Sequence, residues 1–223
     1  VNAIVHDVEQ RSPEWHALRL GRVCASKAAD MLAVRPSDGK PAAGRNNLRV
    51  QLVLERVTGR SQERNVQTQA MLDGVEREDA ALALYQAETG SLLQKVGFVS
   101  HPELMAGASP DGVLGSWERF VEVKAPIPAT HLETLRTSRV PDDYLKQMLH
   151  LAWLTDMRAG DFVSYQPDFP DVLRLKILPV TFTPAQLDEH GAKVRIFLKE
   201  VDLETDAIRT MANLKGQLQA ALA

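Results

Sequence analysis

Three side chains in the middle of the chain have the types and spacing needed for metal-assisted phosphate chemistry. They are Asp111, in Ser109-Pro110-Asp111-Gly112, and Glu122 and Lys124, in Phe120-Val121-Glu122-Val123-Lys124. Along a strand successive side chains point to opposite faces, so Glu122 and Lys124 share one face and Val121 and Val123 the other. The valines suit a core, whereas a carboxylate beside an ammonium needs a polar site. Asp111 lies just after the preceding strand, and an antiparallel return of that strand brings it next to Glu122. Two carboxylates and a backbone carbonyl, such as that of Val123, form a hard oxygen site suited to Mg²⁺, with Mn²⁺ an expected substitute. Such an ion polarises a phosphate oxygen and lowers the pKa of a bound water, and Lys124 can hold that water or offset charge developing in the transition state. A third carboxylate is available in Gly74-Val75-Glu76-Arg77-Glu78. Glu78 is the choice, because Glu76 projects about 200° away round a helix. Singly, these motifs have plainer readings: Ser-Pro-Asp-Gly is a common turn, and Glu-Val-Lys in a strand is usually a solvated face. Their order and spacing together favour a metal-dependent nuclease.

The elements that must carry these residues follow from local signals. Ser12-Pro13-Glu14 opens a helix that runs to about Leu20 and stops at Gly21. Ser26 is a candidate cap for a short helix through Met31 to Val34. Arg35 to Arg45, rich in Pro, Gly and basic residues, reads as a mobile loop. Leu48, Leu52 and Val53 mark a helix ending at Thr58-Gly59, with Arg49 and Arg56 on its other faces, and a further helix spans about Gln67 to Glu88 and ends at Gly90. The period then changes: Leu92 to Ser100, Leu104 to Ala108 and Phe120 to Lys124 read as strands, with turns at Asp111-Gly112 and Gly115-Ser116. A helix from Pro141 to Thr155 precedes strands at Phe162–Gln166 and Val172–Val180, and the tail from Pro184 is mostly helical. The expected fold is α/β (α+β), a central mixed sheet flanked by helices. The expected organisation is one domain over 1–223, with a helical part at 12–90, a catalytic sheet core at 91–180 and a helical tail at 184–223.

Charge distribution adds a second lead. The chain has 223 residues and a formal net charge of −3, which excludes a uniformly basic nucleic-acid binder. Between Arg11 and Arg64, however, 11 Lys and Arg face 5 Asp and Glu, a local balance of +6. Basic residues there, including Arg35, Lys40 and Arg45, are candidates for contacts with duplex phosphates. Cys24 is the single cysteine, so no intrachain disulfide forms and a reducing cytoplasm is the expected compartment. Cys24 itself reads as a buried packing residue. No apolar run approaches a membrane span, and Val1–Arg11 lacks the apolar stretch of a signal peptide. The six histidines have no metal-ligand spacing, and no Gly-x-Gly-x-x-Gly motif implies a nucleotide cofactor. Trp15 and Leu18 read as core or interface anchors.

Asp111 followed by Glu122-x-Lys124 resembles the PD-(D/E)xK nuclease pattern. More narrowly, the chain resembles the phage lambda exonuclease family of YqaJ-like viral recombinases. Trp15-His16-Ala17-Leu18-Arg19-Leu20-Gly21 with Ala25-Ser26, then Gly74-x-x-x-Glu78, Ala108-Ser109-Pro110-Asp111-Gly112, Glu122-Val123-Lys124-Ala125-Pro126 and Tyr144-x-x-Gln147, follow in the family's order over about residues 12–180. The resemblance implies a restriction-endonuclease-like core in which Asp111, Glu122 and the Val123 carbonyl ligate metal, with Glu78 nearby. It implies that Lys124 orients or activates water, and that Tyr144 and Gln147 line the cleft. It further implies that Arg19, Ser26 and Ser109 hold the 5′-terminal phosphate of the digested strand. The implied activity is Mg²⁺-dependent 5′→3′ degradation of one strand of linear double-stranded DNA with 5′-phosphorylated ends. Mononucleotides are released and 3′ overhangs are left for recombination by annealing. A ring-shaped homotrimer, a single-strand annealing protein as partner, no membrane, and a phage or prophage product acting in the bacterial cytoplasm are implied with it. A structure- or sequence-selective endonuclease of the same fold, and a non-catalytic DNA-end-binding module, are the alternatives; the intact Asp111, Glu122 and Lys124 argue against the last.

Overall fold

The computed structural model describes residues 3–62 and 69–222. In chain order the elements are β1 (Ile4–His6), α1 (Pro13–Arg19), β2 (Val23–Cys24), α2 (Ala28–Met31), α3 (Ala43–Thr58), α4 (Gln69–Thr89), β3 (Phe98–Ser100), β4 (Ala106–Ala108), β5 (Gly112–Leu114), β6 (Arg119–Lys124), α5 (Pro128–Thr137), α6 (Asp142–Thr155), β7 (Ala159–Tyr165), β8 (Leu175–Thr181) and α7 (Pro184–Leu222). The mixed α/β expectation holds, with the strands divided between two sheets. One has the order β1-β3-β4-β2 and the other β5-β6-β7-β8. Each is mixed: β2 runs parallel to β4 and β6 parallel to β7, while the remaining pairs are antiparallel. A parallel pair needs a crossover, which α5 and α6 supply between β6 and β7.

The second sheet is covered on both faces, and the alternation along β6 shows how. Val121 and Val123 pack with Ala81, Leu82 and Tyr85 of α4 and with Val163. Phe120 faces the other way, into a cluster with Phe162 and the α6 residues Met148, Leu151 and Ala152. Gly160 makes this second face possible. It lies opposite Phe120 in the β6–β7 register, and a Cβ on it would come within 2.5 Å of the Phe120 ring. α6 also packs against β3 and β4, so it is wedged between the two sheets. A third cluster joins Val23, Leu48, Leu52, Val53 and Ala106 to Val194, Phe197 and Val201 of α7.

Several boundaries differ from the sequence expectation for identifiable reasons. α1 forms as expected, with Ser12 Oγ accepting from the Trp15 amide and Pro13 in the first turn. Gly21, at φ +68, turns the chain after it, and its amide donates to Glu55 of α3 at 2.8 Å. Ser26 is not a helix cap: it lies inside a 3-10 turn, Ala25–Lys27, and Lys27 holds the cap position of α2, which ends at Met31. The stretch read as a mobile loop is tied internally, since the Arg35 amide donates to Lys40 O, Gly39 N to Arg35 O, and Val34 bridges Pro41. α3 has already begun at Ala43, so Arg45 is helical. The expected strand 92–100 narrows to β3, with an isolated bridge from Gln94 to Val113, and β8 starts only at Leu175, after a 3-10 turn at Asp171–Leu173. α5 fills a stretch that apolar spacing does not announce. The expected start of the helix before Gly90, at Gln67, lies outside the described residues. Among those residues, no helix is long and apolar enough to cross a membrane.

Candidate active site and nucleic-acid interface

The β5–β6 hairpin brings the two carboxylates together. It is β5, which begins at the Gly112 read as part of a turn and runs on through Val113 and Leu114, and not the strand before Asp111, that pairs with β6. The register sets Gly112 opposite Val121, so Asp111 follows on toward the carboxyl end of β6. Its Oδ2 accepts from the Val123 amide at 2.7 Å. Glu122 is 1% exposed and stands on the face of β6 that looks toward α6. Lys124, two residues along on the same face, donates to Glu122 Oε1. Gln147 of α6 donates to the same oxygen, and Tyr144, one turn earlier on that helix, stacks on Phe162 with ring centroids 5.5 Å apart. Lys124 Nζ lies 5.6 Å from the Tyr144 ring centroid. Residues three apart on a helix share a face, so α6 delivers both side chains to one place.

The electrostatics of this cluster are those of an excess of buried negative charge. Burial raises the Asp111 carboxyl above the usual carboxylate range and the Glu122 charge raises it further, with Lys124 and the Val123 amide acting in the opposite direction. Glu122 is raised by burial as well, against the pull of Lys124. Burial alone would lower the Lys124 ammonium, but Glu122 and Asp111 hold it above its ordinary value. Glu78 of α4 lies close enough to raise Asp111 and Glu122 electrostatically, and its Oε2 takes an ion pair from Arg11 at 2.5 Å. Among the described residues no three His, Cys, Asp or Glu side chains converge as a ready-made metal cage. The oxygens at hand are the carboxylates of Asp111 and Glu122 and the Val123 carbonyl, the donor type a hard divalent ion takes while keeping several waters.

A cleft of about 350 Å³ opens beside Asp111 and Glu78, lined also by Gln10, Arg11, Lys95 and Val96. Gln10 and Arg11 escaped the sequence reading. Gln10 Nε2 donates to Val96 O and Pro110 O, at 2.8 and 3.2 Å, and so tethers the segment that leads to Asp111. Arg11 sits at φ +71, an uncommon backbone for a non-glycine residue, and that conformation accompanies its reach to Glu78. Their partners are 67 to 100 residues away, so no local pattern marks them.

The three residues assigned to a terminal phosphate also come together. Arg19 Nη2 is 3.4 Å from Ser26 Oγ, and the Arg19 guanidinium lies over the Trp15 ring, whose Nε1 donates to Ser109 Oγ at 2.8 Å. The remaining basic candidates are placed differently. Arg35 forms an ion pair with Asp38 at 2.7 Å and Arg45 one with Glu200 at 2.7 Å. Arg49 pairs with Glu204, and Arg56 with Asp202 at 2.5 Å. Three α3 arginines thus neutralise acids on α7, and of the named loop cations Lys40 stands exposed at the surface, as does Arg35 beside its Asp38 partner.

A model of the YqaJ-like viral recombinase domain matches residues 14–158. Among solved structures, the chain is similar to the alkaline exonuclease LHK-Exo from Laribacter hongkongensis. The two share 34% identity over 95% of this chain and 100% of that one, with a TM-score of 0.82. It is also similar to LHK-Exo in complex with dAMP, at 36% identity over 91% of this chain and 100% of that one, with a TM-score of 0.81. A phage-related exonuclease from Haemophilus somnus 129PT shares the fold at 13% identity, covering 85% of this chain and 96% of that one, with a TM-score of 0.62. No curated protein matches.

Proposed function

Because this chain belongs to the YqaJ-like viral recombinase family and is homologous to an alkaline exonuclease along nearly its whole length, we propose that it is a Mg²⁺-dependent 5′→3′ exonuclease of linear double-stranded DNA. It digests one strand to mononucleotides and leaves a 3′ overhang for annealing. The observation that carries this reading is the convergence of Asp111, Glu122 and Lys124 where the β5–β6 register and the face of α6 meet. The relative that holds dAMP supports mononucleotide release.

The residues fit a hard divalent cation, since two partly or fully buried carboxylates share one neighbouring ammonium and the Glu122 charge raises the Asp111 carboxyl further. Asp111, Glu122 and the Val123 carbonyl would hold it, with Glu78 at the margin. Bound there, Mg²⁺ supplies polarisation of a phosphate oxygen and a bound water of lowered pKa. The chain's own residues do the rest. Lys124, beside Glu122 and Asp111, orients the attacking water by donating to it and offsets charge on the phosphate. Gln147 fixes the orientation of Glu122, and Tyr144 forms the cleft wall beside Lys124. Arg19, Ser26 and Ser109 take the 5′-terminal phosphate, the guanidinium as a planar fork and the hydroxyls as single donors. Lys40 contacts duplex phosphate. A homotrimeric ring around DNA and a single-strand annealing partner complete the proposal.

Linear duplexes with and without 5′-phosphates, labelled separately at each end and incubated with Mg²⁺, test it. The expected result is release of label from 5′-phosphorylated ends first, with a covalently closed circular duplex left whole. Cutting of the closed circle, or digestion that begins at the 3′ label, would overturn it.

A further inference from the structure

One side chain touches two of the three residues read as the phosphate pocket. Trp15 donates its indole Nε1 to Ser109 Oγ at 2.8 Å, and its ring carries the Arg19 guanidinium, whose Cζ is 4.1 Å from the ring centroid. Both contacts impose direction. An indole N–H can only donate, so the Ser109 oxygen accepts and its own O–H proton is turned away from Trp15, free to be given to another oxygen. A guanidinium stacked by its face keeps its N–H donors in the plane of the fork, directed past the ring edge. The Trp15 backbone is itself fixed, because its amide donates to the Ser12 cap at 3.2 Å. Trp15 and Arg19 are four residues apart on α1 and so share a face. Ser109 lies on the segment that leads into Asp111, and Trp15 therefore ties the helix that carries the arginine to the strand region that carries the carboxylate.

We propose that Trp15 is the positioning residue of the 5′-phosphate pocket, presetting the Ser109 hydroxyl and the Arg19 guanidinium as joint donors and thereby setting the preference for phosphorylated ends. The proposal rests on the reading of Arg19, Ser26 and Ser109 as that pocket. It adds the reason why an aromatic with an N–H, rather than a plain apolar anchor, stands at this position.

The test compares kcat and KM on linear duplexes bearing either a 5′-phosphate or a 5′-hydroxyl, with Mg²⁺, for the full chain and for Trp15→Phe, Trp15→Leu, Arg19→Ala, Ser109→Ala and the double variant Trp15→Phe/Ser109→Ala. Phenylalanine keeps a ring under Arg19 but loses the donor, so the kcat/KM ratio between the two ends falls by roughly fivefold to tenfold, the weight of one oriented hydrogen bond. Leucine removes both contacts, and the ratio collapses to that of Arg19→Ala. Because Trp15 acts through Ser109, the double variant discriminates no worse than Ser109→Ala alone. If Arg19→Ala retains the full preference for phosphorylated ends, the pocket reading itself fails. If Arg19→Ala loses it while both Trp15 variants keep it, the Trp15 proposal fails by itself. Equal loss on both kinds of end in Trp15→Phe, or additive losses in the double variant, would show a merely structural tryptophan and overturn the proposal.

Discussion

The Val123 amide donates to Asp111 Oδ2 at 2.7 Å, across the hairpin that sets Gly112 opposite Val121. This bond fixes one proposed ligand by the backbone of another, because the Val123 carbonyl belongs to the same short stretch of β6. The carboxylate position is thus set by strand register and does not depend on a flexible rotamer. Asp111→Asn keeps an oxygen to accept from Val123 while removing the charge. Digestion should fall by ~10³-fold or more, the loss expected when several kcal/mol of metal-based transition-state stabilisation goes. Wild-type protein should show a rise in melting temperature on addition of Mg²⁺, by linkage to the folded state, and the variant should not. A Mg²⁺-dependent rise of equal size in Asp111→Asn would remove Asp111 from the ligand set.

Gln147 offers a finer test, because it touches Glu122 and not the proposed ion. Gln147→Leu leaves Glu122 with Lys124 as its partner in this cluster and lets the carboxylate rotate. A change in the partner of a metal-binding carboxylate typically costs about 10- to 100-fold in metal affinity or activity. The expected signature is a Mg²⁺ titration of activity displaced to higher concentration, with partial recovery at saturating metal. An unchanged titration with a lower plateau would assign Gln147 to the DNA or the reacting phosphate.

How much of this was legible in the chain depends on distance along it. Asp111, Glu122 and Lys124 could be placed because strand alternation and one short hairpin relate them, all within 14 residues. Arg19 could be placed only by family resemblance, and its stacking on Trp15 follows from helical spacing once the pair is considered together. β5 was missed because only Val113 and Leu114 separate the turns read at Asp111-Gly112 and Gly115-Ser116, too few to show alternation, and α5 because Leu132 and Leu135 are too sparse to mark an apolar face. The α3 arginines show the same limit from the other side. Clustering reads them as a phosphate-binding surface, and the acids that pair with them lie on α7, about 150 residues later, where no local pattern can reveal them.

That pairing yields a prediction about stability and DNA binding together. The Arg45 side chain is 12% exposed, bonds Glu200 through both terminal nitrogens and lies 5.1 Å from the Phe197 ring centroid. Arg45→Gln should destabilise the fold by about 1 kcal/mol, the upper range for a half-exposed pair with good geometry. DNA affinity and its salt dependence should stay as they were, since no phosphate contact is lost. Chemical denaturation combined with a salt titration of binding checks both. A salt slope shallower by about one ion would return Arg45 to the DNA interface.

The last prediction concerns two buried histidines where α6 meets α7. His190 Nε2 and His150 Nδ1 are 3.1 Å apart between α7 and α6, both rings are buried, and their other nitrogens, His150 Nε2 and His190 Nδ1, have no hydrogen-bond partner among the described residues. Burial disfavours the charged forms. It lowers His150 well below its ordinary value, helped by His190, and it lowers His190 to about 4, helped by Lys193. The folded protein therefore holds both rings neutral, while the unfolded chain takes up protons near the ordinary histidine value of about 6.5. Stability from this pair is fully present above pH ~6.5 and declines as pH falls through the interval down to ~4, because the unfolded state then binds more protons. For His190 alone, a shift from the ordinary 6.5 to about 4 corresponds to a loss of up to ~3 kcal/mol. Since α6 also carries Tyr144 and Gln147, acid loosening of its contact with α7 weakens the support of the cleft wall. Denaturation midpoints measured between pH 7.5 and 4.5 should fall steeply in the native chain and less steeply in His190→Gln, which titrates no proton there. Equal slopes in the two proteins would mean that other groups govern acid sensitivity.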